Sequence, residues 1–183
     1  FTLINRDIAD LPKPIIGYIG VIQEKVDLDL VRHLARKNPK KSVVLVGPVW
    51  NEQDEAKMAL EQEKNVYFLG YKTYANAPMY IQQFDIGIIP HKKAGFAAST
   101  NPMKMYEYLA CGKPVVATSN IGTENVEEMI SIVDSYDDFD VQVNKLLESD
   151  NDENRIKRHN FVKKFSWINT VNKMMDLINN KLT

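Results

Sequence analysis

The sequence lacks the features that mark several classes of protein. Its 183 residues include one cysteine, Cys111, so an internal disulfide bond is excluded. The 23 basic and 24 acidic residues give a formal net charge of −1, without the basic field of a general nucleic-acid binder. No apolar run approaches the ~18 residues of a membrane helix, and no signal peptide is recognisable. We therefore expect a cytoplasmic protein with no nucleic-acid partner and no transmembrane segment.

The composition is that of an ordinary folded domain. Apolar residues make up 44% of the chain and charged residues 26%, so disorder is not expected. At ~150 residues per domain, the length allows one domain with an appendage. The chain starts with Phe1 instead of methionine, and we expect it to be a piece of a longer protein.

Six short apolar runs predict six β-strands. They are too short for helices and rich in β-branched residues, and their apolar residues are consecutive, as in parallel strands covered on both faces. The runs span residues 15–19, 43–46, 66–69, 86–89, 115–117 and 130–133.

The segments between these runs have helical spacing. The predicted helices span residues 27–38, 52–63, 74–84, 101–111 and 137–148. Because strands and helices alternate, we predict an α/β fold, a Rossmann-like doubly wound parallel sheet of about six strands with helices on both faces.

Two consecutive helices are predicted after the last strand, at residues 152–164 and 167–182. The second carries an apolar stripe at steps of three and four residues, made of Trp167, Val171, Met174, Met175, Ile178 and Leu182. Two interpretations stay open. Either the stripe packs on the chain's own sheet, or part of it covers a neighbouring domain.

Ligands of open α/β sheets bind outside the carboxyl ends of the strands. Three successive predicted strands end in glycine, at Gly20, Gly47 and Gly70, and glycine lets a ligand approach the backbone closely. Turns at strand ends also favour glycine, so this second interpretation stays open. The sequence contains neither GxGxxG nor a P-loop motif.

The predicted helix at residues 101–111 has its N-terminus at this edge of the sheet. Thr100 or Asn101 is a suitable N-cap, Pro102 suits the first turn, and Gly112 is a typical C-terminal stop. The free N–H groups of such a helix start are a natural anion site.

Lys104 lies in the first turn of this helix, where a cation opposes the helix dipole. Glu107 follows on the same face, in the less favourable order for an ion pair that is worth only ~0–1 kcal/mol at a surface. A structural ion pair therefore explains the two residues poorly. A lysine at a helix start suits a diphosphate, and a carboxylate one turn deeper suits a vicinal diol such as ribose.

The stretch Asn101-Pro-x-Lys-x-Tyr-Glu-Tyr-Leu-Ala-x-Gly-Lys-Pro-Val-Val resembles the nucleotide-binding C-terminal domain of GT-B glycosyltransferases. It is most similar to glycosyltransferase family four and related bacterial polysaccharide enzymes. The resemblance covers nearly the whole chain and includes Gly17-Tyr-Ile-Gly20, Val66-Tyr-Phe-Leu-Gly70, Phe84-Asp-Ile-Gly-Ile-Ile-Pro90 and Phe165-Ser-Trp167.

The resemblance implies a site for a nucleotide-sugar donor. Glu107 is expected to bind the ribose hydroxyls, and Lys104 is expected to act as the catalytic cation at the diphosphate. Further substrate contacts are expected at Thr100, Asn101, Pro102, Gly20, Lys25, Gly70, Tyr71 and Lys72. His91 follows the fourth strand at the same edge and is a candidate contact by its position. The family stabilises the leaving diphosphate with a helix dipole and cations, so neither a metal nor a cofactor is expected.

Two positions depart from the family pattern. Ser99 stands where the family places a second glutamate, and Val21 stands where an arginine is frequent. Three alternatives therefore stay open: a non-catalytic nucleotide-binding module, a GT-B-fold epimerase acting on nucleotide sugars, and a flavodoxin-like partner-binding domain.

GT-B enzymes have two Rossmann-like domains, and the resemblance implies that an N-terminal acceptor domain of the same polypeptide is missing. We expect residues 1–13 to enter from that domain, residues 14–150 to bind the donor, and residues 151–183 to pack on them and toward the missing domain. The parent is expected to move a hexose to a glycan or lipid-linked acceptor in polysaccharide biosynthesis, with peripheral association at the inner face of the membrane. This chain alone is expected to be inactive.

Overall fold

Strands and helices alternate in a computed structural model that describes residues 6–50, 53–92, 102–119 and 122–182. The strands are β1 (Ile15–Ile19), β2 (Ser42–Val46), β3 (Val66–Gly70), β4 (Ile86–Ile89), β5 (Val115–Thr118) and β6 (Ser131–Val133). The helices are α1 (Arg6–Ala9), α2 (Leu28–Lys37), α3 (Asp54–Leu60), α4 (Ala77–Ile81), α5 (Met103–Ala110), α6 (Tyr136–Ser149), α7 (Asp152–Val162) and α8 (Trp167–Leu182). All six predicted strands are confirmed.

Two local expectations differ from the structure. Residues 6–9 form the short helix α1, which the fully buried Ile8 anchors to the core. The sequence does not predict this helix because a single turn is too short to show a helical period. The predicted helix at residues 74–84 is a 3-10 turn at Tyr74–Asn76 followed by α4. Pro78 lies in the first turn of α4, where its missing N–H costs nothing.

The sheet has the order β3-β2-β1-β4-β5-β6, and every neighbouring pair is parallel. The strand order reverses between β1 and β4, which is the topological switch point of a doubly wound sheet. The predicted Rossmann-like class is therefore confirmed. From β1 the first half of the chain adds strands on one side, and from β4 the second half adds strands on the other. The connections that follow β1 and β4 therefore diverge and leave a crevice at the carboxyl ends of these two strands.

Apolar side chains cover both faces of the sheet. One core cluster includes Tyr80 of α4, Tyr108 of α5 and Val162 of α7. The other includes Leu30 of α2 and Phe139 of α6. This two-sided burial explains why the strands are apolar at consecutive positions.

The two C-terminal helices differ in how they pack. Helix α7 lies against α5, and its buried Arg158 donates two hydrogen bonds to the Gly112 carbonyl, at 2.9 and 2.7 Å. The apolar side chains of α8 from Trp167 to Ile178 are instead exposed, Trp167 to 72% and Val171 to 50%. The interpretation in which the stripe packs on the chain's own sheet is therefore wrong, because α8 contacts mainly the preceding turn, Lys163–Phe165.

No helix in the described part of the chain has both the length and the hydropathy needed to cross a membrane.

Candidate functional site

A cleft of about 680 Å³ lies over the switch point of the sheet. Its walls come from the loop after β1, the ends of β2 and β3, the loop after β4 and the first turns of α5. Of the predicted site residues, Gly20, Lys25, Tyr71, Lys72, His91, Pro102, Lys104 and Glu107 line it. Residues separated by more than eighty positions in the sequence are thus brought to one opening.

The predictions for Thr100 and Asn101 lie outside the described residues, as does that for Ser99. The described helix α5 begins at Met103, and the buried Pro102 occupies the cap position with extended backbone angles. The described helix thus starts two residues later than the predicted start at residue 101. Gly112 ends the helix as predicted, with a φ of +71°, and its N–H donates to the Leu109 carbonyl.

Gly20 forms the floor of the cleft at the end of β1. Its φ is +132°, which L side chains rarely adopt. A Cβ atom at this position would lie 2.9 Å from the Lys104 Nζ. Gly20 therefore leaves the space through which the lysine reaches the exit of β1.

Lys104 is the central cation of the site. Its Nζ donates a hydrogen bond to the Tyr18 hydroxyl at 2.7 Å and lies 3.9 Å from the centre of the Tyr18 ring. Burial, together with the charge of the nearby Lys25, lowers the Lys104 pKa to about 7, although Glu107 opposes the shift. The site therefore holds an ammonium group that is only marginally protonated until an anion joins it.

Glu107 lies one turn further along α5 and is half-buried. Burial raises the pKa of its carboxyl group, whereas a hydrogen bond with Tyr74 and the charge of Lys104 lower it. Lys104 and Glu107 both belong to α5 and line the same cleft, as the sequence predicts. Such a carboxylate can accept hydrogen bonds from two adjacent hydroxyl groups.

His91 is 1% exposed, and neither ring nitrogen has a hydrogen-bond partner in the described structure. Burial and the charges of Lys104 and Lys25 lower its pKa to about 3, so the ring is neutral near pH 7. Thr118 fixes the backbone of His91, since the His91 N–H donates to Thr118 Oγ1 at 3.1 Å. A neutral imidazole at a cleft wall can both donate and accept a hydrogen bond.

The residues after β3 occupy different places. Tyr71 lines the cleft with 71% of its surface exposed. The Lys72 ammonium is bound to the Asp7 carboxylate at 2.8 Å. Gly70 is exposed, and its carbonyl accepts a hydrogen bond from the Gly47 N–H at 2.9 Å. Tyr71 and Lys72 therefore line the cleft, whereas the predicted site residue Gly70 is not among its lining residues.

Sequence reasoning missed two tyrosines of the site. Tyr18 lies in an apolar strand and was expected only as core, although a tyrosine hydroxyl in a buried run signals a polar partner. Tyr74 was placed at a helix start, but it lines the cleft and bonds to Glu107. Both partners lie far away in the sequence, so no local pattern reveals them.

The family model described as "Glycosyl transferases group 1" matches residues 13–149. The protein TuaH of Bacillus subtilis (strain 168), which is named as a teichuronic acid biosynthesis glycosyltransferase, is 32% identical over 114 residues. That alignment covers 62% of this chain and 29% of TuaH. The chain therefore spans under a third of this relative.

Solved structures of other proteins share the fold. Anabaena HepE in complex with UDP and glucose superposes with a TM-score of 0.73 at 19% identity, over 94% of this chain and 49% of HepE. The C-terminal domain of LpcC from Francisella tularensis, described as a glycosyl transferase group 1 family protein, superposes with a TM-score of 0.68 at 21% identity. That match covers 87% of this chain and 90% of the LpcC domain.

Proposed function

Because the chain belongs to the glycosyltransferase group 1 family, with a Rossmann-like domain of the GT-B type, we propose that its cleft binds the nucleotide-sugar donor. One observation carries the proposal: Lys104 and Glu107 lie on successive turns of one helix at the switch-point crevice. HepE, which has the same fold, is described in complex with UDP and glucose, and this makes UDP-glucose a sensible first probe.

In this proposal the donor lies across the end of β1. Lys104 contacts the diphosphate, with Thr100, Asn101 and Pro102 beside it at the start of α5. Glu107 accepts hydrogen bonds from the two ribose hydroxyls. The Gly20 backbone allows the diphosphate to approach, and Tyr71 lies beside the nucleobase with the backbone of Gly70 and Lys72.

Transfer breaks the bond between the sugar's anomeric carbon and the diphosphate oxygen, and the leaving diphosphate gains negative charge. Lys104, which Tyr18 holds in place before the reaction begins, stabilises that charge together with the nearby Lys25. His91 contacts the same region as a neutral hydrogen-bonding group. This donor chemistry uses the charges of the chain's own residues and assigns no metal ligand.

The acceptor is proposed to bind a second domain of the parent protein. The alignments cover 29% of TuaH and 49% of HepE, and the exposed apolar stripe of α8 is a surface that another domain can cover. The parent would transfer a hexose to a glycan or lipid-linked acceptor in the cytoplasm, with peripheral attachment to the membrane. This chain alone would bind the donor without turnover.

Calorimetric titration with UDP, GDP, dTDP and ADP tests the donor site. We expect saturable binding of one nucleotide, and Glu107→Ala should weaken it at least tenfold, about 1.4 kcal/mol. The matched control is Glu128→Ala, because Glu128 is exposed and lies outside the cleft. No binding of any of the four nucleotides to the folded chain, or an equal loss in both variants, would contradict the proposal.

A second expected result is a pH dependence of binding. The Lys104 ammonium has a pKa of about 7, and a diphosphate beside it favours the charged form. The complex then holds more protons than the free protein, so affinity should fall as pH rises above 7, at most about tenfold per pH unit. Titration of the nucleotide sugar from pH 6 to 9 measures this.

A nucleotide sugar suits this titration because its diphosphate has no ionisation in the same range. The variant Lys104→Met provides the control, since it removes the titrating group. Its affinity should be low and nearly constant with pH, and a slope equal to that of the unmodified chain would assign the effect to another residue.

A further inference from the structure

We propose that Tyr18 is a positioning residue for Lys104, holding its ammonium group at the exit of β1 where the donor diphosphate approaches. The inference rests on the function proposed above and adds a residue that acts through the lysine without touching the substrate. Neither the family match nor the similar proteins assign a role to this tyrosine.

The contact joins the two faces of the sheet. Tyr18 belongs to the core cluster on the α2 and α6 face, whereas Lys104 comes from α5, whose buried residues belong to the opposite cluster. The lysine reaches over the carboxyl edge and meets Tyr18 beside Gly20, where both the Lys104 Nζ and the Tyr18 hydroxyl lie within 4 Å of a Cβ built on the glycine. The contact is therefore at the floor of the cleft.

The Tyr18 hydroxyl has a fixed direction. It donates its proton to the Val21 carbonyl at 3.0 Å, so toward Lys104 it can only accept. The ring is fully buried and cannot follow a moving lysine. Lysine has many rotamers, and holding it in one of them before the ligand arrives reduces the entropy cost of binding.

The charges around Lys104 show why an accepting partner is needed. The loop after β1 brings the unfavourable charge of Lys25, whereas the buried His91 after β4 is neutral and supplies no charge of either sign. On α5 itself, Glu107 is the favourable charge, one turn away. Burial and Lys25 lower the Lys104 pKa, and the Tyr18 oxygen accepts a hydrogen bond directly from the ammonium group.

The variant Tyr18→Phe tests the proposal because it deletes the hydroxyl and keeps the ring. We expect the affinity for the nucleotide sugar at pH 7.5 to fall about tenfold, or about 1.4 kcal/mol. We also expect the decline of affinity with rising pH to begin at lower pH, because an ammonium without its acceptor loses its proton more readily. A merely structural tyrosine would not shift the pH profile.

The matched control is Tyr108→Phe. Tyr108 is another fully buried tyrosine, and its hydroxyl accepts a hydrogen bond from the Ile19 N–H of the same strand at 2.9 Å, without contacting Lys104. Its removal should lower the free energy of unfolding and leave the pH profile of binding unchanged. A shift of the profile in both variants, or in neither, would overturn the proposal.

A ligand-free measurement separates this inference from the proposed function. The lysine Cε and tyrosine Cζ carbons are labelled with ¹³C, and Lys104→Met and Tyr18→Phe identify the two signals. In the unmodified chain, the Tyr18 signal should shift with the same midpoint as the Lys104 signal. A Tyr18 signal that stays constant while Lys104 titrates would overturn the inference, even where nucleotide binding is confirmed. If the Tyr18 and Lys104 signals share a midpoint but the chain binds no nucleotide, the contact between the two residues is supported and the proposed function is rejected.

Discussion

Lys104→Met is expected to weaken binding of the nucleotide sugar about 100-fold, or about 2.7 kcal/mol. Methionine is one atom shorter but keeps most of the volume of the side chain, and it removes the charge that faces the diphosphate. Charge-assisted hydrogen bonds are worth about 1.5–3 kcal/mol each, so a single cation at two phosphate groups accounts for a loss of this size. Calorimetric titration at pH 6.5, where the unmodified lysine is mostly charged, measures it.

The same substitution should not weaken the fold. A partly buried ammonium with a lowered pKa costs folding free energy, and an apolar group of similar volume relieves that cost. We therefore expect the midpoint of thermal unfolding to stay equal or rise while binding is lost. A loss of affinity without a loss of thermal stability distinguishes a ligand-binding lysine from a structural one.

Lys113→Met is the matched control for this prediction. Lys113 is also partly buried and has a pKa lowered by burial, but it lies outside the cleft and donates a hydrogen bond to the Gln82 carbonyl at 2.8 Å. Its substitution should leave the affinity for the nucleotide sugar within twofold of the unmodified chain. An affinity loss of equal size in both variants would contradict the prediction that Lys104 contacts the diphosphate.

Gly47→Ala is expected to lower the free energy of unfolding by about 4 kcal/mol. The Gly47 φ is +142°, and a Cβ at this position would lie 2.0 Å from the carbonyl oxygen of Gly20. Strained backbone costs about 1–3 kcal/mol, and forcing extra atoms into a packed site costs a similar amount. Because the clashing atom belongs to the backbone of the neighbouring strand exit, no rotamer change can relieve it. Urea unfolding followed by circular dichroism measures the loss.

Gly70→Ala provides the comparison. Gly70 also has a positive φ, of +66°, but a Cβ there meets nothing within 4 Å. Only the left-handed backbone is then unfavourable, at about 1 kcal/mol. Equal losses at Gly47 and Gly70 would show that backbone conformation alone sets the cost, and that the close approach of β1 and β2 does not.

The strands were predictable because their signal is local. A run such as Ser42–Val46 is apolar at consecutive positions, and this pattern depends only on the strand being covered on both faces. The helix α5 was predictable for the same reason, since Gly112 and the residues around Pro102 mark its ends within the sequence. The predicted start at residue 101 differs from the observed start at Met103 because Pro102 occupies the cap position.

The site was predictable where a residue conflicts with its own helix. Lys104 is unfavourable in the first turn of α5, and that conflict alone pointed to an anionic ligand. No such conflict marks Tyr18, which looks like any aromatic residue of a buried strand. Lys72 resembles a free cation in the sequence, yet Asp7 binds it from 65 residues away.

The sequence by itself determined the alternation of strands and helices, the two-sided burial of the sheet, and the cation and carboxylate on one helix face. Each depends on spacing within a few turns of chain, which sequence periodicity records directly. Only the tertiary structure decided the partner of Lys104, the neutral state of His91 and the exposure of the α8 stripe. These depend on which distant residues meet in space and on how much water they exclude, and the hydrogen bond between Tyr18 and Lys104 spans 86 residues.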